Sequence, residues 1–595
     1  MVDFALLEQL QDRHNALQAT LRHFEFISNA TKVANSGSQN KRIQFEELAR
    51  IVANWHQTSH SSVLNDFASK LVTDAFDPLY TPLSKDLDSL LTKCGWPGST
   101  IKLAPASKQE IMSAFIGLVD LFDILVKSGT DASQFQQPLH IVFNEVLVHF
   151  KYHFYLQKSG TNRTDKPEWM LRYALKLIED HGSFLEFLQD GLNEREENSI
   201  IVKTEYISFL MGFLKEKIQQ QAFRMMGNPE LFSHLVTEAM RFDKTMLKVH
   251  QYDGYIDGQT YRGRVTDVFV EESQLFQCWL DIEREAAFYR YSEIMKVDPW
   301  NPSLSSAGLV KHTNSSEKLV DLLAVITERY RSLPPQYQVA FFEVAQLSIL
   351  SQYLTDAKVV LNNHQSTFDP NTKEGAFKRK LDRLTKVLYV AGSLEVVTDA
   401  TNEWSEDILF LDMLKFYNPS FNSDSDPLLN SVFAGIEKEY SKVIEQIESV
   451  VAEDCLQEIV ESMWQYDSKK WNASYIEEGD AVSVELTEAL SHTKAFISLI
   501  SQVLPRKLCK GLQRALLAQI MDRLLTRPVS KYTFSLQGAL QLERDVSAFI
   551  SYFPPSIVRQ TAAVKKMRDT LHILVLSQEQ LLSLHERLSA GIMQS

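Results

Sequence analysis

Helix-breaking residues are scarce in this chain, and that scarcity limits its fold more than any motif does. Only 21 glycines and 18 prolines are spread over 595 residues, well below the roughly 7 % and 5 % of an average protein. Glycine costs backbone entropy inside a helix and proline removes a hydrogen-bond donor, so few of either permits long helices. Apolar residues recur at three- and four-residue spacing through most of the chain, which marks buried helical faces. Alternating apolar and polar runs bounded by Asn-Gly or Asp-Gly turns are rare, so little sheet is expected. The pattern predicts an all-α protein. Its length exceeds what one core serves and suggests about four domains.

The most informative stretch runs from Phe143 to Leu188. Val142, Val146, Phe150 and Phe154 recur every four residues on one helical face. Ser159-Gly160-Thr161-Asn162 interrupts with turn formers. Pro167 suits a first helical position, and Glu168 complements the positive helix start. Met170, Ala174, Leu177, Phe184 and Leu188 then mark one apolar stripe, with His181 inside it. Two helices are expected to meet here, with Trp169 as a core anchor. His149 and His153 share a face, but a zinc protease needs glutamate after the first histidine, and Phe150 stands there. Packed, hydrogen-bonded histidines are therefore expected, and neither metal nor cofactor is assigned.

In chain order, residues 1–35 read as one amphipathic helix. Leu7, Leu10, His14, Leu17, Leu21 and Phe24 alternate at a/d spacing over about three heptads. The stripe fits either packing on its own domain or an intermolecular seam with His14 as a register device. A helical N-terminal domain spans 36–100 and ends at Cys94-Gly95-Trp96-Pro97, a helix-stop signal. Helical bundles are expected over 101–300, 301–475 and 476–595, separated by polar loops at Asp298–Ser316 and near Ser474–Asp480. Within 301–475, Asn362–Gly375 reads as a further polar loop. Gly254, Gly258 and Gly263 lack phosphate-loop spacing. The Asn422–Asp426 loop lacks the calcium-loop pattern. Ile436, Tyr440, Ile444 and Ile447 form a stripe with Phe433. Val564, Met567, Leu571, Leu574, Leu581 and Leu588 form another near the end.

Net charge is −15. Lysine and arginine look dispersed along the sequence, which argues against nucleic acid and predicts poor binding to bare liposomes. Four cysteines, Cys94, Cys278, Cys455 and Cys509, lack CxxC spacing and suit buried thiols in a reducing compartment. No signal-peptide layout is visible, and the longest apolar runs are about half of the roughly twenty residues a span needs. The sequons at Asn29, Asn162, Asn314 and Asn472 then read as chance matches. No Walker loop, nucleophile elbow, HExxH or paired aspartates appear, so an enzyme is the weaker reading.

Tyr152 to Leu185, with YHFY, TNR and DKPEW in that order, resembles the signature of the RINT/TIP family, subunits of the Dsl (or NRZ) tethering complex of the endoplasmic reticulum. Leu275–Met295, Ser315–Pro334, Asn402–Met413 and Phe534–Val546 are similar to further family segments, in family order. The resemblance implies an elongated rod of serial helical bundles, as in exocyst and conserved oligomeric Golgi subunits. It implies a non-catalytic tether for Golgi-to-endoplasmic-reticulum retrograde vesicles. It implies a Dsl or Zeste-White-ten-type partner subunit, SNAREs of the endoplasmic reticulum, and a cytoplasmic location peripheral to that membrane and reached through partners. The family's N-terminal helical region pairs with the Dsl-type subunit, which here points to Leu7, Leu10, Leu17, Leu21 and Phe24. An exocyst-like subunit is the second reading.

Overall fold

The structure is a computed structural model that describes residues 4–35, 40–58, 62–98, 104–156, 159–195, 200–256, 260–261, 263–302, 313–366, 375–417, 431–472 and 481–589. The fold is all-α, apart from a two-residue antiparallel ladder pairing Tyr255–Ile256 with Thr260–Tyr261. That ladder stands where a plain connection was expected. The loop at 422–426 lies outside the described residues, as do parts of the loops near 303–312, 367–374 and 473–480. Two compact units divide the chain, residues 1–279 and 280–595.

The first unit contains α1 (Phe4–Ala34), α2 (Lys41–Thr58), α3 (Ser62–Lys93), α4 (Pro105–Lys127), α5 (Pro138–Phe154), α6 (Pro167–Asp180), α7 (Gly182–Asn193), α8 (Val202–Met225), α9 (Pro229–His250) and α10 (Val268–Glu271). The division falls inside α11 (Ser273–Lys296). Helix α3 stops as its sequence requires. Gly95 takes a positive φ of 80°, its N–H donates to Thr92 O and the Trp96 N–H donates to Leu91 O. This is the paired closure of a glycine-terminated helix. The turn drives Trp96 into the core, where its indole N–H donates to Val142 O at 2.7 Å. Its ring lies 4.6 Å from that of His181 and 4.3 Å from that of Phe184.

His181 changes the expected layout. One helix from Pro167 to Leu188 is instead two, because the chain breaks between α6 and α7 at His181. The imidazole is buried. Nε2 sits 2.9 Å from Pro97 O, and Nδ1 sits 2.7 Å from the Tyr206 hydroxyl. A carbonyl only accepts, so Nε2 donates to it and Nδ1 accepts from Tyr206. Burial pushes the pKa of His181 down, opposed by the bond to Pro97 and by Asp180.

The stripes Val142, Val146, Phe150, Phe154 and Met170, Ala174, Leu177, Phe184, Leu188 are buried as read. Trp169 is not the expected core anchor. It is 40 % exposed, in the first turn of α6 with the Arg163 guanidinium 5.7 Å from its ring centre. On the helix, position 169 lies about 200° from the inward-facing Pro167 and away from Met170, so the ring points outward. His149 is exposed rather than packed, while His153 is half-buried beside the ring of Tyr173.

The second unit holds α12 (Asn314–Tyr330), α13 (Pro335–Phe341), α14 (Ser348–Ser366), α15 (Ala376–Ser405), α16 (Ile408–Tyr417), α17 (Ala434–Ser462), α18 (Thr487–Val503), α19 (Arg506–Leu524), α20 (Leu536–Ser551), α21 (Pro555–Gln560), α22 (Ala562–Val575) and α23 (Gln578–Ser589). The segments carrying the family resemblance supply its internal ties. Arg329 Nε donates to Glu283 Oε1 at 3.0 Å, and Arg331 meets both Asp407 oxygens. Buried Asp545 accepts from the Tyr466 hydroxyl at 2.9 Å, the Ser483 amide at 2.8 Å and the Ser483 hydroxyl at 2.7 Å. The stripe on α17 is buried as expected, and so are Val564, Met567 and Leu571. Leu581 is exposed because the helix breaks after Val575 and α23 begins a new segment. The side chain of Leu588 lies outside the described residues. All four cysteines are free thiols, but Cys455 alone is fully buried.

Three stability outcomes follow from this packing. Trp96→Ala should cost about 3–5 kcal/mol, whereas Trp169→Ala should cost about 1 kcal/mol, the worth of an exposed cation–π pair; thermal melts of the two variants distinguish them. Gly538→Ala should destabilise, although alanine is normally the better helix former by about 1 kcal/mol. A Cβ there would stand 2.2 Å from the backbone oxygen of Trp471, and such overpacking costs about 1–3 kcal/mol. A stabilised Gly538→Ala protein would contradict this contact.

The third concerns pH. The pKa of His181 is lower folded than unfolded, so its contribution is present above the unfolded value, about 6.5, and is lost as pH falls below it. Asp243, pushed up to about 6 by burial, works in the opposite direction. The melting difference between wild type and His181→Gln should therefore be largest near neutral pH and shrink as the pH drops. A difference constant with pH would refute the assignment.

Candidate partner-docking site

Helix α1 carries two apolar stripes on opposite sides. At 3.6 residues per turn, two positions lie about 200° apart, so Phe24 and Phe26 point in opposite directions. Phe26 and Ala30 face the bundle and are buried. The Phe26 ring stacks on Trp55 at 4.1 Å, His23 meets the same indole edge-on at 5.3 Å, and the indole N–H donates to Asn65 Oδ1 at 3.0 Å. Gln44 of α2 holds the other end, donating to Val33 O and Ala34 O. These contacts fix the last third of α1 against α2.

The other stripe is left to solvent. Leu17 is 71 % exposed, Leu21 60 % and Phe24 68 %. Every side chain from Gln11 to Arg22 is exposed, His14 included. The side chains of Leu7 and Leu10 lie outside the described residues. Of the five residues read from sequence as a docking set, the structure thus brings three onto one outward face. It missed the opposing stripe of Phe26 and Ala30 and the Trp55 platform. The signal was the four-residue spacing of Phe26 and Ala30 itself, overlaid on the longer leucine repeat. A contiguous exposed apolar stripe marks an interaction surface.

The first unit also holds a half-open apolar cavity of about 170 Å³ between α4 and the start of α5, lined by Phe115, Val119, Phe122, Val126, Leu139 and Leu192. Asp123 is the charged residue of its lining, and its carboxylate already holds Arg195 at 2.6 Å. Among the described residues no group of three metal-ligating side chains converges, and no helix is long and apolar enough to cross a membrane.

The sequence comparisons bear on the rest of the chain. Residues 138–594 match the profile of the RINT-1/TIP-1 family. The RINT1-like protein MAG2 of Arabidopsis thaliana is 21 % identical over 75 % of this chain and 59 % of its own length. The RINT1-like protein of Drosophila melanogaster is 20 % identical over 76 % of this chain and 60 % of its own. The protein transport protein tip20 of Schizosaccharomyces pombe is 24 % identical over 47 % and 39 %. The matched part thus spans about three-fifths or less of these relatives. Among solved structures, the Dsl1 complex subunit Tip20, crystallised with the SNARE Sec20, superposes with a TM-score of 0.61 at 16 % identity, over 94 % of this chain and 91 % of that one. With the family profile covering well over half of its length, this chain belongs to the RINT-1/TIP-1 family.

Proposed function

We propose that this protein is a non-catalytic subunit of a vesicle-tethering complex acting in Golgi-to-endoplasmic-reticulum retrograde transport. In this reading residues 1–35 dock a Dsl or Zeste-White-ten-type subunit, and another part of the chain binds SNAREs of the endoplasmic reticulum. The observation that carries it is the outward stripe of Leu17, Leu21 and Phe24 on α1. A helix presenting apolar residues at a/d spacing, with its opposite face already packed, is suited to pair with one helix of a partner. Arg13 and Glu25, both exposed, flank the stripe, so burial of its apolar residues would supply the affinity and the flanking charges would bear on the choice of partner. The family relationship supports a tether, as does the similarity to a subunit crystallised with a SNARE. The protein would then sit on the cytoplasmic side of the endoplasmic reticulum, recruited by SNAREs. An exocyst-like assembly is the alternative; affinity capture that brings plasma-membrane partners instead would favour it.

The test is Leu17→Asp with Leu21→Asp. Burying a leucine is worth roughly 1.5–3 kcal/mol, so losing two and burying charge should weaken binding by orders of magnitude. Co-purification of the Dsl-type subunit should disappear. Circular dichroism should barely change, because both residues are exposed in the free chain. SNARE capture should persist. A double variant that stays folded and keeps its partner would remove α1 from the docking role.

A further inference from the structure

In a chain of net charge −15, residues 501–577 hold twelve Lys and Arg but four Asp and Glu. One of those acids, Asp545, is buried and hydrogen-bonded inside the bundle. The cations go the other way. Arg506, Lys510 and Arg514 on α19 are exposed, as are Lys565, Lys566 and Arg568 on α22. Among the described residues, none of the six forms an ion pair with an acid; the nearby Lys507 does, with Glu395 at 2.6 Å. The two helices pack on each other, turning Leu512, Leu516, Met567 and Leu571 inward and the charges outward. The linear sequence hides this because the fifty residues between Arg514 and Lys565 separate the two groups.

The arrangement costs the fold something. Arg506, Lys510 and Arg514 follow at i, i+4 and i+8, where like charges repel, and Arg506 opens the first turn of α19, where the helix dipole disfavours a cation. We propose that this cationic face is a direct contact with an anionic bilayer surface. The charges lie on outward helix faces rather than around a groove, which suits a broad, diffuse anion such as a lipid headgroup layer. The next helix, α23, has exposed Leu581 and Leu582, apolar side chains of the kind that enter the headgroup region. The proposal runs against the expectation of poor binding to bare liposomes, drawn from charges dispersed along the sequence.

The experiment is cosedimentation of the full chain with vesicles. At low salt the protein should bind phosphatidylcholine vesicles containing about 30 % phosphatidylserine and should not bind pure phosphatidylcholine. Binding should vanish in about 0.5 M NaCl, where screening shortens to a few ångströms. Arg506→Glu/Lys510→Glu/Arg514→Glu and Lys565→Glu/Lys566→Glu/Arg568→Glu should each weaken binding at least about tenfold. Glutamine versions, which relieve repulsion within the helix, should weaken it less but in the same direction. Lys70→Glu/Lys85→Glu/Lys93→Glu, an equal charge change on exposed positions of α3, should leave it unchanged. Absence of binding to anionic vesicles at low salt overturns the proposal, and so does equal loss in the α3 variant.

Discussion

A helix inside a bundle can bury only the sides its neighbours cover, and a chain with few helix breakers keeps extending helices past those neighbours. That constraint shapes this protein. Helix α1 is covered by α2 along its last third and then continues uncovered, with Leu17, Leu21 and Phe24 on its open side. The Trp55 platform is what makes this arrangement definite. By stacking on Phe26, meeting His23 and bonding Asn65, it commits one side of α1 to the bundle. The leucine stripe on the opposite side is then unavailable for packing within the same bundle. That open side is where we propose a partner helix docks.

The first unit depends on a similar commitment where α3 ends. Gly95 lets the backbone reverse, and the reversal places Trp96 and Pro97 against α5, His181 and α7. His181 completes the contact, using both ring nitrogens between Pro97 O and the Tyr206 hydroxyl. A neutral imidazole satisfies one donor and one acceptor at once; an imidazolium would face Tyr206 with a second donor. The break between α6 and α7 falls at His181, immediately before Gly182, where the imidazole can make both bonds. The helix gives up continuity so that a buried polar side chain can be fully bonded.

Much of this was legible in the sequence, and the failures have specific causes. The all-α class, the stop at Gly95-Trp96-Pro97, the buried stripes of α5 to α7 and α17, and the helical run of α1 all follow from apolar periodicity and turn chemistry. Trp169 points outward despite its size and hydrophobicity because its angular position on α6 lies away from the inward-facing Pro167 and Met170. The split at His181 was missed because the apolar stripe continues across it; only the partners 84 and 25 residues away, Pro97 and Tyr206, show why the backbone breaks. Which side of α1 stays open could not be decided from its own spacing. That depended on Trp55, a residue of the next helix.

The segments that carry the family resemblance and the surfaces that carry the proposed contacts are largely different residues. Glu283, Arg329, Arg331, Asp407 and Asp545 sit in the resembling segments and tie helices to one another inside the second unit. Such ties tolerate little change, because leaving one partner of a bonded charge unpaired and partly buried costs more than the pair itself is worth. They therefore report the fold. The family match begins at residue 138, after α1 has ended. The cations of α19 fall between the resembling segments, and those of α22 fall beyond them. Surface stripes and charges can be rearranged at small cost to stability, so each chain of a common fold is free to present its own. Kinship identifies the family to which the body belongs, while the exposed faces of α1, α19 and α22 carry the contacts we propose for it.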